Sequence, residues 1–397
     1  MEGSRTRPRR SVAEVNIMCL RKYFIRESIK GLIIRVPATM STPTPLRSFL
    51  GGIGLAFPVY SLAALNGNVF GISGFIHRAA RGNKEALLGA IGLVCGGLFV
   101  GFMETQTEAR ELAHSMAVVS PPNLLFSGFL LGLGTKLSNG CTSGHMLAGI
   151  SRLSKRSVTA TAIFFIFGSL TTFAAHSSSL FASLPPFWGL DQTSKILIVA
   201  QAAPLASSSL LYLCYPSTSM PATGTSHHHN TPREPSETTS LESVSKANYG
   251  TPRTIPRLIA YFTTSLEFAL ALRVSDLTNA LKVLSFLILP FPWPLGHPNP
   301  SFDPSLLVLA AGAIPVTLAL YQFWIKPLYY LKNDMESPTG FEEPHPRLGG
   351  PWSVPRPGWN VGSVDNRLVL GSALFGIGWG LAGVCREWPF VPVPNRL

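Results

Sequence analysis

Runs of about twenty apolar residues recur along this chain between short polar loops, the length a helix needs to cross the hydrocarbon core of a bilayer. They lie at Leu46 to Leu65, Ala86 to Met103, 157–175, 194–214, Ile255 to Leu272, Ser305 to Trp324 and Leu368 to Val384. In lipid the backbone must satisfy its own hydrogen bonds, and runs this long do so as helices. Composition agrees. Only 13% of residues are charged, against roughly 25% in soluble domains. The 36 Gly and 33 Pro suit transmembrane helices better than long soluble ones. So much apolar surface excludes a disordered chain. Five Cys without regular spacing form neither a disulfide framework nor a zinc module, so neither a metal nor another cofactor is expected. The 32 basic residues outnumber the 20 acidic ones, but they sit in a tail and in short loops. That is the positive-inside pattern of a membrane protein, not a nucleic-acid surface.

Four regions follow. Residues 1–45 hold nine Lys or Arg and three Glu and no spanning run; they read as a disordered basic tail. Within that tail Met40 reads as a natural start, which makes the first 39 residues dispensable. Residues 46–215 form a first transmembrane half. Residues 216–253 are rich in Ser, Thr, Pro and Asn, a composition without a core, and read as a flexible polar linker in which His227, His228 and His229 are a solvated tract. Residues 254–397 form a second transmembrane half. The loops 77–84 and 152–156 are basic, whereas 104–111 is acidic, which places the first two on one side of the membrane and the third on the other. A short Gly-rich piece at 69–76 is too brief to span, and apolar character also appears at 145–150, after an interruption, and at 277–289. The fold expected is all-α and integral to the membrane, a polytopic bundle of two pseudo-symmetric halves with short broken or re-entrant helices. Broken helices in corresponding places point to a transporter with its site between the repeats.

Two segments carry the chemistry. The first runs from Gly132 to His145 and includes Asn139-Gly140-Cys141-Thr142-Ser143-Gly144-His145. Its Gly, Ser and Asn content predicts a break after which Thr142 or Ser143 caps a short helix starting near Gly144. A helix start of this kind favours anions. The second segment, Gly371 to Cys385, places Gly376, Gly380 and Gly383 at helical spacing, which lets helices approach closely. Each segment carries a Cys near its end, Cys141 and Cys385. Cys95 and Cys214 lie in continuous apolar runs, where packing is the default. Lys136 and Lys282 read as snorkelling to the lipid interface, and Trp379 as a core or interface residue.

These two segments resemble the signatures of the YeeE/YedE sulfur-transport family. Gly71-Ile72-Ser73-Gly74, Asn279 to Leu287 and Asp303-Pro304-Ser305-Leu306 resemble further segments of it, in the family's order. The resemblance implies a plasma-membrane transporter, not an enzyme, that takes up thiosulfate or a related sulfur-containing anion. It also implies a soluble sulfur-carrier partner. By motif match the substrate path runs past Gly140, Cys141, Thr142, Ser143, Gly144, His145 and Cys385. The chain departs from the family after Cys385, where Arg386-Glu387-Trp388-Pro389-Phe390 stands in place of Pro-Gly-Pro and a further helix. This reads as truncation of the second half.

The chemistry of the residues agrees with the resemblance. A neutral thiol donates a weak S–H hydrogen bond to a soft terminal sulfur, and apolar surroundings keep it neutral. Weak contacts let an ion leave as readily as it enters. Two alternatives compete with this reading: a membrane sulfurtransferase carrying a persulfide on Cys141, and an inactive, incomplete family member. Against the first, no basic cluster or His–carboxylate pair stands beside Cys141 in the sequence to lower its pKa.

Overall fold

The computed structural model describes residues 40–105, 107–108, 112, 119–176, 182–183, 185–215, 253–288, 302–330, 346–354 and 364–383. Nearly all of the proposed tail, the linker 216–253 except Arg253, and Cys385 with the residues after it lie outside the described residues.

The described chain is helical apart from a two-residue parallel pairing of Met40–Ser41 with Ala182–Ser183. The first half comprises α1 (Pro45–Asn66), α2 (Ile72–Ala79), α3 (Lys84–Met103), α4 (Pro121–Ser138), α5 (Lys155–His176), α6 (Gln192–Ala200) and α7 (Ala202–Cys214). The second comprises α8 (Thr254–Val274), α9 (Ala280–Leu287), α10 (Ser305–Leu320), α11 (Lys326–Tyr330) and α12 (Asn366–Ala382). Two π-helical turns interrupt this order, at Ser143–Leu147 and Tyr321–Ile325.

Local chemistry sets the ends. Pro45 starts α1, where its missing N–H costs nothing, and Gly67 ends it at φ 70°. Asn83 begins α3 by accepting from the Ala86 N–H at 2.9 Å. Asp365 begins α12 by accepting from the Leu368 N–H at 3.2 Å, and Gly383 ends it at φ 64°. Side-chain oxygens at such positions satisfy donors that the helix leaves open.

Among the described residues six stretches are long and apolar enough to cross a membrane: Pro45–Asn66, Lys84–Met103, Lys155–His176, Gln192–Cys214, Thr254–Val274 and Ser305–Leu328. The chain is an all-α polytopic membrane protein. Of these six, α1 and α8 are the most enclosed, while Phe102, Leu125, Phe129, Val199, Leu213 and Phe323 stand outward, each more than 60% exposed, as lipid-facing side chains do. The apolar run expected as one span at 194–214 lies within the single stretch Gln192–Cys214, where Gln201, itself on helical backbone, joins α6 to α7. The run at 277–289 condenses into the eight residues of α9, which rise only about 12 Å.

The two ends of the bundle differ in charge as the loops predict. At one end Lys136 Nζ meets His77 Nε2 at 3.0 Å, and Arg156 donates to the Ser138 carbonyl at 3.4 Å. The basic loops 77–84 and 152–156 therefore share a side. Glu85 in that region is held by Arg257 of α8, whose Nε and Nη2 lie 2.6 and 3.1 Å from its two oxygens. Glu104 lies at the opposite end of α3, against Arg273.

Candidate functional site

α4 stops where the sequence places its break. Asn139 takes the left-handed conformation at φ 58°, and the Gly140 N–H returns to the Thr135 carbonyl at 3.1 Å. Left-handed backbone is tolerated by Asn better than by most residues. The chain then turns through Cys141 and Thr142 into the π turn, with the His145 N–H on the Cys141 carbonyl at 2.9 Å and the Ala148 N–H on the Ser143 carbonyl at 3.2 Å. The expected capping by Thr142 or Ser143 is not what forms: the turn starts on helical backbone at Thr142, without a side-chain cap. Five residues of π turn are also too few to act as a helix terminus for an anion.

Cys141 is 4% exposed, with Sγ 3.1 Å from the Ser143 hydroxyl. Thr142 and Ser143 are buried beside it. His145 is also buried, and its ring is held at both nitrogens. Nε2 lies 3.3 Å from the Ser138 carbonyl, and Nδ1 lies 3.2 Å from the Ser157 hydroxyl. A carbonyl only accepts, so Nε2 carries the proton and, in the neutral ring, Nδ1 accepts from Ser157. Phe164 packs edge-on against the ring at 5.8 Å. His145 thus ties the end of α4 to the start of α5. Gly140 is required by this arrangement, since a Cβ there would stand 2.7 Å from Nε2. A Cβ on Gly144 would meet nothing within 4 Å.

The second Gly-rich segment is the interior of α12, packed on α4 and α5. A Cβ on Gly376 would lie 2.7 Å from the Phe164 carbonyl oxygen, and one on Gly380 2.4 Å from that of Gly168. Trp379 is 3% exposed, with Phe165 at 5.5 Å, and is a core residue. Cys141 lies by the N-terminal end of α5, through His145 and Ser157. The end of α12 lies by the opposite end, where His176 Nε2 donates to the Leu381 carbonyl at 3.0 Å. Nearly the whole of α5, on the order of 30 Å, separates them.

A second polar cluster was not anticipated. Asp276, 4% exposed and left-handed at φ 59°, receives three cations: Arg47 at 3.0 Å, Arg273 at 3.0 Å and Lys282 at 2.5 Å. Thr44 donates to it at 2.6 Å, and Arg47 also pairs with Asp191 at 3.0 Å. Lys282 therefore does not snorkel to the interface: it is buried, because a carboxylate in the bundle offers it more than lipid headgroups do. Burial opposes ionisation of Asp276, yet Arg47, Lys282 and Thr44 hold it below the usual carboxylate range. Burial and then the neighbouring Glu108 carboxylate push Glu104 up to about 7, against the pull of Arg47. Lys136 remains exposed, Cys95 is half-buried, and Cys214 is exposed at the end of α7.

Residues 256–391 match a family of unknown function, DUF6691. A protein of Xylella fastidiosa (strain 9a5c) described as a probable transporter is 41% identical over 124 residues, covering 31% of this chain and 88% of that protein. A probable transporter of strain Temecula1 / ATCC 700964 is 40% identical, with the same coverage. Another probable transporter of strain 9a5c is 32% identical over 129 residues, covering 32% of this chain and 69% of that protein. No solved structure matches the chain.

Proposed function

We propose that this chain, which belongs to the family of those probable transporters, carries thiosulfate or a related sulfur-containing anion across the plasma membrane without covalent chemistry. The observation that carries the reading is the segment from Asn139 to His145. It resembles the YeeE/YedE signature, and its thiol is buried at a helix break that Gly140 and His145 hold in shape. Backbone that leaves the helix inside a membrane-protein bundle belongs where protein or a cavity satisfies it.

In this reading Cys141 donates weakly to the terminal sulfur of the ion, with the Ser143 hydroxyl 3.1 Å away available to its oxygens. Thr142, Gly140 and Gly144 shape the passage. Cys385 is the corresponding contact further along the path, the halves 46–215 and 254–397 act as repeats, and a soluble sulfur-carrier protein receives the cargo. A neutral donor suits passage because an ion must be released at every station.

The test is uptake of labelled thiosulfate by cells that lack their own route, expressing the intact chain, Cys141→Ala, Cys141→Ser or Cys385→Ala. Uptake by the intact chain, lost in Cys141→Ala and kept in part by Cys141→Ser, is the expected result. Absence of uptake by a well-expressed, inserted intact chain overturns the substrate.

A further inference from the structure

Three Asp or Glu side chains are buried among the described residues: Glu267, Asp276 and Asp303. Asp276 is answered by three cations, and Asp303 accepts from the Ser305 N–H at 2.8 Å. Glu267 has no such answer. It is 1% exposed, its Oε2 finds no hydrogen-bond partner, and among the described residues it makes no ion pair. It sits inside the spanning helix α8, about 10 Å short of its C-terminal end. A carboxylate buried without a partner is costly, whereas a carboxyl that holds its proton is neutral and escapes most of that cost. Ionisable groups within membrane spans are rare and mark ion pathways and proton relays.

The helices packed against α8 bring acceptors to this level. α1 runs opposite to α8, with Gly51 against Ser275 and Gly54 against Ala271. α7 also runs opposite to it. Gln201 Oε1 would stand 2.6 Å from a Cβ on Gly54, beside Ala271, while Leu211 and Tyr212 pack by Ala260. One turn further along each helix, Glu267, Pro58 of α1 and Pro204 of α7 come to a common level, and both prolines are buried. A proline within a helix cannot donate to the carbonyl four residues before it, so the Gly54 and Ala200 carbonyls have no helix donor there. The Gln201 amide nitrogen donates to the Leu197 carbonyl at 3.4 Å, which leaves its oxygen toward Gly54. Such acceptors repel a carboxylate but take a hydrogen bond from a carboxyl O–H.

The titratable groups on the elements around α8 are engaged elsewhere. Glu85 is held by Arg257, and Arg47, Glu104 and Asp191 belong to the cluster at Arg273 and Asp276. Arg78 lies over Tyr261, the Tyr60 hydroxyl is on Ser151, and the Tyr212 hydroxyl is on Trp324. Lys84, Lys195 and Cys214 are exposed, and Cys95 is half-buried. None of them pairs with Glu267.

We propose that Glu267 is a proton-binding residue, and that the chain moves a proton inward together with its anion. The proposal deepens the transport reading above and rests on it for the cargo. A dianion taken into a cell travels against an inside-negative potential, and a proton carried on Glu267 offsets part of that charge. The step is proton transfer alone: water on the outer side gives the proton, the neutral carboxyl is enclosed, and water on the inner side receives it. The structure corresponds to the enclosed form. Pro58 and Pro204 are the points at which α1 and α7 bend to admit that water.

The full chain and its Glu267→Gln variant are reconstituted in phosphatidylcholine vesicles, and accumulation of labelled thiosulfate is followed with and without a pH gradient. A gradient of about one unit, acid outside, is expected to raise accumulation by the intact chain about tenfold for each proton carried. Glu267→Gln keeps thiosulfate exchange across the vesicle membrane and loses the response to the gradient, a split that a merely structural role would not produce. Infrared spectroscopy supplies a readout free of transport: the intact chain shows the C=O stretch of a protonated carboxyl that Glu267→Gln lacks. Glu267→Gln melts no lower than the intact chain, because glutamine has the shape of the neutral acid. Equal gradient responses in the two chains, accumulation that follows a sodium gradient instead, loss of exchange in Glu267→Gln, an unchanged carboxyl band or a clearly lower melting temperature overturns the proposal. A carboxyl band that Glu267→Gln removes, in a chain that moves no thiosulfate, sustains the proton site and removes the transport reading. Thiosulfate accumulation by the intact chain that ignores the gradient does the reverse.

Discussion

Gly134 and Gly371 press backbone to backbone: a Cβ on Gly134 would stand 2.7 Å from the Gly371 carbonyl oxygen, and one on Gly371 would stand 2.9 Å from that of Gly134. The two Gly-rich segments therefore meet through their glycines, which fixes how closely α4, with the Cys141 break at its end, lies against α12.

Substituting Gly371→Ala puts a methyl 2.5 Å from the Ser138 nitrogen, a backbone atom that cannot step aside. We expect about 1–3 kcal/mol of destabilisation, as for other overpacked sites, seen as a lower melting temperature in detergent. Gly128, where a Cβ meets nothing within 4 Å, is the control, and Gly128→Ala is expected to be neutral or slightly stabilising. Equal effects at the two positions would remove the packing argument.

Gly140→Ala drives a Cβ into the His145 ring and strains its bond to the Ser138 carbonyl. Stability and uptake are both expected to fall. In the Gly140→Ala, His145→Ala double variant the stability loss is smaller than the sum of the two single losses, because the clash is gone. Strict additivity in the double-mutant cycle would refute the coupling.

Asp276→Asn leaves Arg47, Arg273 and Lys282 without their shared carboxylate. Loss of one partner from a buried charge cluster costs about 3–5 kcal/mol, so little folded protein should be recovered. Pairing it with Lys282→Met removes one of the stranded cations and should restore yield in part, as measured by size-exclusion recovery.

Glu104 binds its proton more tightly folded than unfolded, with its pKa raised from 4.5 to about 7. Its contribution to stability is full below about 4.5 and is lost as the pH climbs through about 7. Asp276 and Asp191, both held below the usual carboxylate range, act in the opposite sense and weaken the fold only in stronger acid. The melting temperature should therefore decline between pH 5.5 and 8.5, and Glu104→Gln should flatten that decline. An unchanged slope in Glu104→Gln would exonerate this carboxyl.

The spans were legible because each depends on its own residues. The run expected at Ala86 to Met103 forms as Lys84–Met103, and the small-residue faces of Gly376 and Gly380 pack as their spacing implies. The break after Ser138 was legible too, because Asn139 and Gly140 specify it locally. The first π turn in place of a capped helix was not, since its i to i+5 bonds leave no mark in composition. Nor was the junction of α6 and α7 at Gln201, inside a span that the sequence did show; Gln201 sits against Gly54 of a helix far away in the chain. Lys282 was misread because its partners Thr44 and Asp276 are brought to it by folding.

The cluster around Asp276 bears on the order in which the protein is made. Arg47 sits in α1, yet its contacts to the Arg273 and Val274 carbonyls join residues 226 and 227 positions apart. Until α8 has been synthesised, Asp191 is the one carboxylate among the described residues that answers that guanidinium, and the contacts to Asp276 and to the end of α8 are still to come. The first seven helices therefore hold only part of this cluster, which is complete once Arg273, Asp276 and Lys282 have joined it.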